Sequence, residues 1–356
     1  MDQCVIHVSV REGYDVIIGS GLLCESGRLI RASLGNCRLA VVTDSNVAKL
    51  YLPELLTRLH EAGYDACSFV FPAGEAHKRM DTLSDLLEFF AEQQLTRKDC
   101  VVALGGGVTG DMAGFAAGCY LRGVRYVQVP TTLLAAVDSS VGGKTAVDLT
   151  AGKNLAGLFH QPSLVLCDTN TFATLTPDEF ANGAAEAIKA GMLDDEALFS
   201  LFETGDVRAK ISDIVAQCVA FKARIVEADE TETGLRKTLN LGHTAGHAIE
   251  RCSDYSIPHG HAVAIGLAII ARAAEQLGWA TEPIAGRVEA ALAQNGLPTT
   301  TDFTPEALAQ AALSDKKRAG GMITLVVPKK IGDCALVDIP VEQLLDVFRA
   351  GMGAGA

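Results

Sequence analysis

The stretch NLGHTAGHAIE, residues 240–250, sets two histidines four positions apart, His243 and His247, where a helix begins by pattern. A few residues on, IPHGHAVAIG adds His259 and His261. Residues at i and i+4 share a helix face, so such a pair can hold a metal ion or move protons on a common ligand. A single histidine on an apolar helix is usually a packed core residue. Here 4 of the chain's 8 histidines fall between positions 243 and 261, which argues for chemistry over space-filling. The order His-Thr-Ala-Gly-His lacks the glutamate of the H-E-x-x-H zinc proteases and argues against that class. Catalytic zinc commonly takes two histidines and a carboxylate and keeps one position open. Glu186 is a candidate third ligand, because GAAEAIKAG is a helix of small residues in which a buried charge needs a partner. Lys189, three residues on, shares its face.

A second constellation is rich in glycine. LGGGVTGDMAGFAAG, residues 104–118, follows a strand and opens a helix, and Gly105, Gly107 and Gly110 match G-x-G-x-x-G. Such glycines let backbone N–H groups approach a pyrophosphate at a helix N-terminus. The motif sits on a later strand than usual, and the acidic residue expected about 20 positions on is missing. Close packing of a Gly/Ala helix on a sheet is therefore the competing reading. The segment PTTLLAAVDSSVGGKTAVD, residues 130–148, tilts the balance with Thr131, Thr132, Asp138, Ser139 and Lys144 after another strand. Asp44 ends the strand that would lie under an adenosine. Cations also gather without matching anions: Lys144, Lys153, Lys189, Lys222, Arg236 and the pair Lys316–Lys317. Lys144 and Lys153 are flanked by glycines and are expected on loops facing a ligand. In a chain of net charge -13, a pocket of such cations suits a small polyanion such as a phosphorylated acid.

The elements that must position these groups follow from hydrophobic pattern. An N-terminal strand pair precedes RLAVVTD, ACSFVF, DCVVALGGG, RYVQVPTT and SLVLCD, which read as buried strands alternating with helices. That predicts a parallel sheet covered on both faces, with ligands at the strands' C-terminal ends. From about residue 177 the pattern turns helical: 178–192, 207–227, 238–251, 262–278 and 282–295. A hairpin (MITLVVPK, CALVDIP) and a last helix from Val341 close the chain. The expected division is 1–177, a Rossmann-like NAD-binding α/β domain, and 178–356, a mainly α-helical metal- and substrate-binding domain. With 356 residues, 49% hydrophobic, the chain can bury cores for two such domains. Its negative charge argues against nucleic acid and anionic membranes, and no run is long enough to span a bilayer. The 10 scattered cysteines, without a C-x-x-C pair, suggest reduced thiols in a cytoplasm.

PAGEAHK, GGGVTGDMAGFAAG, PTTLLAAVDSSVGGK, AGKN, EAIKAG, GLRKTLNLGHTAGHAIE, PHG and SDKKR follow in the order and spacing of the 3-dehydroquinate synthase family, one of the sugar-phosphate cyclases. The chain is identified as resembling that family over about residues 38 to 330. The resemblance implies conversion of 3-deoxy-D-arabino-heptulosonate 7-phosphate to 3-dehydroquinate and phosphate, with NAD+ and a divalent ion, Zn2+ or Co2+, in a homodimer. It implies metal ligation by Glu186, His243 and His259, with His247 at the substrate phosphate. Lys153, Lys222 and Arg236 are implied as substrate contacts, the last two at its carboxylate. Lys144, Asn154, Lys189, Asn240 and one of Lys316 and Lys317 join the catalytic pocket, and Arg122 enters it from the partner subunit. NAD contacts are implied for Asp44, Glu75, Lys78, Gly106, Gly107, Val108, Asp111, Thr131, Thr132, Asp138, Ser139 and Thr174, with Lys144 and Lys153 shared. One position departs from the family pattern: His261 stands where many members carry glutamate, and a supporting role behind the ligands is expected of it.

Overall fold

The computed structural model describes residues 3–313 and 321–353. Its chain groups into two compact units: Met1–Leu175 with Lys222–Thr231, and Thr176–Phe221 with Glu232–Ala356. A single cut after residue 177 assigns the returning segment Lys222–Thr231 to the other unit.

The first unit is built on a seven-stranded sheet. Its elements in chain order are β1 (Cys4–Val8), β2 (Tyr14–Gly19), α1 (Leu22–Leu34), β3 (Leu39–Asp44), α2 (Val47–Glu61), β4 (Ala66–Phe71), α3 (Met80–Glu92), β5 (Cys100–Gly105), α4 (Gly107–Cys119), β6 (Arg125–Pro130), β7 (Lys144–Leu149), β8 (Gly152–Phe159) and β9 (Leu164–Asp168). The sheet order is β1-β2-β9-β6-β5-β3-β4; β1 pairs antiparallel with β2, and every other pairing in this sheet is parallel. Period-two alternation sends Leu39, Val41, Cys100, Val102 and Leu104 to one face, packed with residues of α1 and α2. Ala40, Val42, Val101 and Ala103 face the other way, against α3 and α4. The chain moves outward from β3 to β4, then crosses back to β5 on the other side of β3. That reversal places a crevice beyond the ends of β3 and β5, where ligands of such sheets bind.

One expectation fails here. The glycine-flanked segments carrying Lys144 and Lys153 are not loops; they are strands β7 and β8, paired as an antiparallel hairpin. Their β-branched and apolar residues, Thr145, Val147 and Leu158 among them, outweigh the glycines.

The second unit contains α5 (Pro177–Asp194), α6 (Glu196–Thr204), most of α7 (Ile211–Ala228), α8 (His243–Cys252), α9 (His259–Gln276), α10 (Ala285–Gln294), α11 (Pro305–Leu313), a hairpin of β10 (Met322–Lys330) and β11 (Asp333–Pro340), and α12 (Leu344–Met352). Helix α5 starts at a reciprocal cap: the Thr176 hydroxyl accepts from Glu179 N, and the Glu179 carboxylate accepts from Thr176 N. The helix expected over 238–251 is broken. A short 3-10 turn, Leu235–Asn240, ends before Gly242, whose φ of 76° only glycine adopts cheaply, and α8 begins at His243. The cause is tertiary: α9 crosses so close that a methyl on Gly266 would lie 2.0 Å from Gly242 O. Helices α6 and α11, nine residues each, add to the elements expected from sequence. Among the described residues no helix is long and apolar enough to cross a membrane.

Gly266→Ala should therefore destabilise the protein by about 1–3 kcal/mol, because backbone rather than a movable side chain blocks the methyl. Gly286→Ala on α10 meets nothing within 4 Å and serves as the control, with unchanged or slightly raised stability. Thermal or denaturant unfolding of both variants tests the pair; equal stability would refute the close-contact argument.

Candidate functional site

In the second unit, three donor groups converge from three helices. Glu186 lies in the middle of α5, His243 opens α8 and His259 opens α9; one ligand atom from each falls within 4.8 Å of the others. Nε2 of His243 lies 3.6 Å, and Nε2 of His259 3.5 Å, from Oε1 of Glu186. Neither Glu186 oxygen, both fully buried, has a hydrogen-bond donor in acceptable geometry. The Lys189 ammonium lies against Oε2, which leaves Oε1 to the imidazoles. His243 Nδ1 lies 3.0 Å from the Leu241 carbonyl, which can only accept, so Nδ1 carries the hydrogen. The Nε2 lone pair of His243 then points at a carboxylate lone pair. Such an arrangement needs positive charge at its centre. Without an ion a proton supplies it: burial opposes charging His259, but Glu186 and Glu250 outweigh burial and push its pKa up to about 10. His243 is held well below the ordinary imidazole range, first by burial and then by Lys189. Burial would raise Glu186, but Lys189, His259 and His243 together hold it well below the usual carboxylate range. Two ligands of a tetrahedral Zn2+ at its usual bond lengths lie about 3.4 Å apart. The observed separations, the Oε1 left without a hydrogen-bond donor and the two-histidine, one-carboxylate donor set all fit a divalent ion.

His247 is exposed, its ring edge-on to His243 with centroids 5.2 Å apart, so it borders the cluster without belonging to the ligand trio. His261 does not stand behind the ligands as expected. Its Nε2 lies 3.0 Å from Asp178 Oδ1, because position 261 on α9 faces the start of α5. The group behind His259 is Glu250, which sequence reading passed over. Its position, i+7 from His243 and i+3 from His247, was the available signal. Lys189 and Arg236 are buried, and Asn240 donates through Nδ2 to Glu232 Oε1 at 2.8 Å.

In the first unit the polar residues cluster at strand ends. Asp44 ends β3, and its Oδ1 accepts from the amides of Asn46 and Val47. The Thr109 hydroxyl is 3.5 Å from Asp44 Oδ2, which links β3 to the first turn of α4 across the crevice. That first turn, with Gly106, Gly107 and Val108, has no side-chain cap. Methyls on Gly106 and Gly107 would meet Thr132 and Ser139, and one on Gly110 would lie 2.6 Å from Gln128 Oε1, so the third glycine serves close helix–strand packing. Thr131 N donates to Gly105 O. Asp138 and Ser139 lie on a π-helical turn, Ala135–Ser139; Lys222 donates to Asp138 Oδ1 and to its carbonyl, both at 2.6 Å. Lys78, 3% exposed, donates to Asp111 at 2.5 Å and to Asn154 Oδ1 at 2.6 Å. Burial by itself disfavours the ammonium, but Asp111, Glu75 and Asp148 outweigh it and hold Lys78 above the ordinary lysine range. Asn154 sits at φ 56° with its amide on Asp148 Oδ1, a second group unseen from sequence. Lys153 is 3.7 Å from Glu75, Lys144 is exposed at the start of β7, and Thr174 meets the Tyr51 hydroxyl at 2.6 Å. Arg122 lies on an exposed turn in which Leu121, Arg122 and Gly123 all have positive φ. Lys316 and Lys317 lie outside the described residues.

A parallel sheet with polar strand ends and a helical unit carrying a Glu/His/His cluster make up a sugar-phosphate cyclase-like fold. Solved structures agree. The 2-epi-5-epi-valiolone synthase of Streptomyces hygroscopicus subsp. jinggangensis, with NAD+ and Zn2+ bound, matches with a TM-score of 0.87 and 28% identity over 95% of this chain and 96% of that one. A 2-deoxy-scyllo-inosose synthase complexed with carbaglucose-6-phosphate, NAD+ and Co2+ matches with TM-score 0.87 and 25% identity, covering 99% and 100%. Within that class, the family description "3-dehydroquinate synthase N-terminal" matches residues 68–182 and "3-dehydroquinate synthase C-terminal" residues 183–318. Curated 3-dehydroquinate synthases of Agrobacterium fabrum and Pelobacter propionicus are 44% and 45% identical, over 95% and 96% of this chain and 93% and 98% of theirs. The chain belongs to the 3-dehydroquinate synthase family.

The Lys78–Asp111 pair gives a test of how the first unit's polar end is held. Lys78→Met should cost roughly 3 kcal/mol in ligand-free protein by stranding the Asp111 carboxylate, and Lys78→Met combined with Asp111→Leu should recover most of it. Denaturant unfolding of the single and double variants reads the coupling; a single variant as stable as wild type would refute it.

Proposed function

We propose that the protein is a 3-dehydroquinate synthase, converting 3-deoxy-D-arabino-heptulosonate 7-phosphate to 3-dehydroquinate and phosphate. The observation that carries the reading is the buried Glu186/His243/His259 trio in a chain whose near-full-length relatives bear that name. Bound NAD+ would supply a transient oxidation that makes phosphate elimination possible, and bound Zn2+ or Co2+ would supply Lewis-acid polarisation. The chain's own residues do the positioning. Asp44, the first turn of α4 and the Thr131–Ser139 segment would hold the nucleotide at the crevice of the sheet. Glu186, His243 and His259 would hold the ion. Lys153, Lys222 and Arg236 would fix the substrate's anionic groups, and His247, exposed beside the trio, would meet its phosphate. Several cations on one polyanion organise it through successive steps, which is orientation and electrostatic work. Arg122, on its strained exposed turn, suits a role in a neighbouring protomer's pocket and so a homodimer; the cytoplasm is the compartment this reading expects.

Metal-stripped protein should lose turnover, measured as phosphate release from the seven-carbon substrate, and Zn2+ or Co2+ should restore it. Undiminished activity in protein shown to be free of metal would sink the ion's role. His243→Ala should lose the ion, whereas His247→Ala should retain it and slow phosphate release about 100-fold or more; equal loss of metal in both would refute the division of roles. Release from glucose 6-phosphate or sedoheptulose 7-phosphate in place of the heptulosonate would assign the chain to another cyclase activity, and net NADH accumulation would indicate a dehydrogenase.

A further inference from the structure

The imidazole of His259 has two ring nitrogens, and the structure gives each a carboxylate. Nε2 faces Glu186 Oε1 at 3.5 Å, and Nδ1 faces Glu250 Oε2 at 3.3 Å. A carboxylate accepts, so Glu250 takes the hydrogen of Nδ1 and leaves Nε2 free to ligate. Glu250 is 4% exposed, in the last turn of α8, and His259 is the first residue of α9. The connection between them is shaped to bring them together. Tyr255 N donates to Glu250 O at 2.7 Å, and Asp254 and Tyr255 are both left-handed, with φ 49° and 61°, a conformation that non-glycine residues adopt only where the surroundings impose it. His243 is oriented differently, through Leu241 O. Each histidine of the trio therefore has a partner behind it, and only that of His259 is charged. His261 is not available for this part, since Asp178 holds its Nε2.

The geometry points to Glu250 as a positioning residue: it sets the tautomer and ring plane of His259 and makes Nε2 a stronger donor to the divalent ion. This rests on the metal reading of Glu186, His243 and His259. Glu250 acts through the histidine, in the manner of carboxylates behind metal-bound imidazoles. A rival use of the same atoms exists, because His247, Glu250 and His259 also bring ligand atoms within 4.8 Å of one another and so offer a second ion a place.

The test uses the full chain stripped of metal. Zn2+ affinity is measured by competition with a chromophoric chelator, and the Co2+ form by its visible absorption. Glu250→Gln keeps an acceptor and loses the charge; Glu250→Leu loses both in a buried setting. One ion per chain is expected in wild type and both variants, with the Zn2+ Kd raised about 10-fold in Gln and toward 100-fold in Leu. The Co2+ bands should shift in Leu and stay near wild type in Gln, a signature that loosened packing at a distance would not give. If Leu does not fold, the affinity of the Gln variant decides. Wild-type affinity in the variants overturns the positioning role alone. A second ion in wild type that Glu250→Gln loses makes Glu250 a ligand and overturns it too. If wild type binds no ion that Glu186→Gln removes, the metal reading itself fails and takes this inference with it.

Discussion

Two imidazole nitrogens that face one buried carboxylate oxygen require a positive charge among them, and much of the second unit follows from that requirement. Glu186 is buried on a helix whose neighbours are alanine, glycine and isoleucine. A carboxylate there is costly unless compensated. Lys189 compensates one oxygen, and the other is left to His243 and His259. For those rings to arrive, α8 and α9 must begin at almost the same place and approach α5 closely. The glycines make that possible: Gly260 lies on the Asn182 carbonyl, Gly266 on Gly242, and Asn182 Oδ1 receives the Gly260 amide at 2.6 Å. Asn182 is one helical turn before Glu186, and Gly260 is the residue after His259. That hydrogen bond therefore sets the register between the helices carrying Glu186 and His259.

The first unit solves a different problem by different means. Several of its polar groups sit on strand ends and turns, others on α4 and α7, and paired charges hold many of them. Lys78 gathers Asp111 and Asn154, Lys222 gathers Asp138, and Asp148 holds Asn154 in its left-handed conformation. The reversal of strand order between β4 and β5 opens a crevice at the carboxyl ends of the strands, so topology chooses the location.

The parallel strands were legible because β3, β5 and β9 are nearly continuous apolar runs. Histidine density and one carboxylate in a small-residue helix pointed to Glu186 and His243, but helical spacing paired His243 with His247, and His259 entered the group only through the family resemblance. What was hidden depends on contacts distant in sequence. The pattern LNLGHTAGHAIE continues as a helix through Gly242; only the approach of α9 imposes the break. The β7–β8 hairpin is masked by glycines that suit a loop equally well. Helical periodicity along α7 gives no sign that Lys222–Thr231 packs with the first unit. Glu250 was readable as a third residue on the His243–His247 face, but whether a carboxylate there meets solvent or the back of His259 is decided by the turn at Asp254 and Tyr255.

That turn bears on how the cluster comes to exist. In small zinc-dependent folds the ion organises the chain, and ligands on flexible segments find their geometry only on binding. Here Glu186, His243 and His259 all sit on helices with apolar faces of their own, and α9 buries an almost continuous run from Ala262 to Ala274. The separations among the donor atoms are therefore fixed by helix packing, by the glycine contacts and by a connection held in an unfavourable backbone conformation. Donors held in place lose little further conformational freedom when an ion enters, so more of the coordination free energy is available for binding. The cost falls on folding, as crowded glycines that tolerate no side chain and as two left-handed residues between Glu250 and His259.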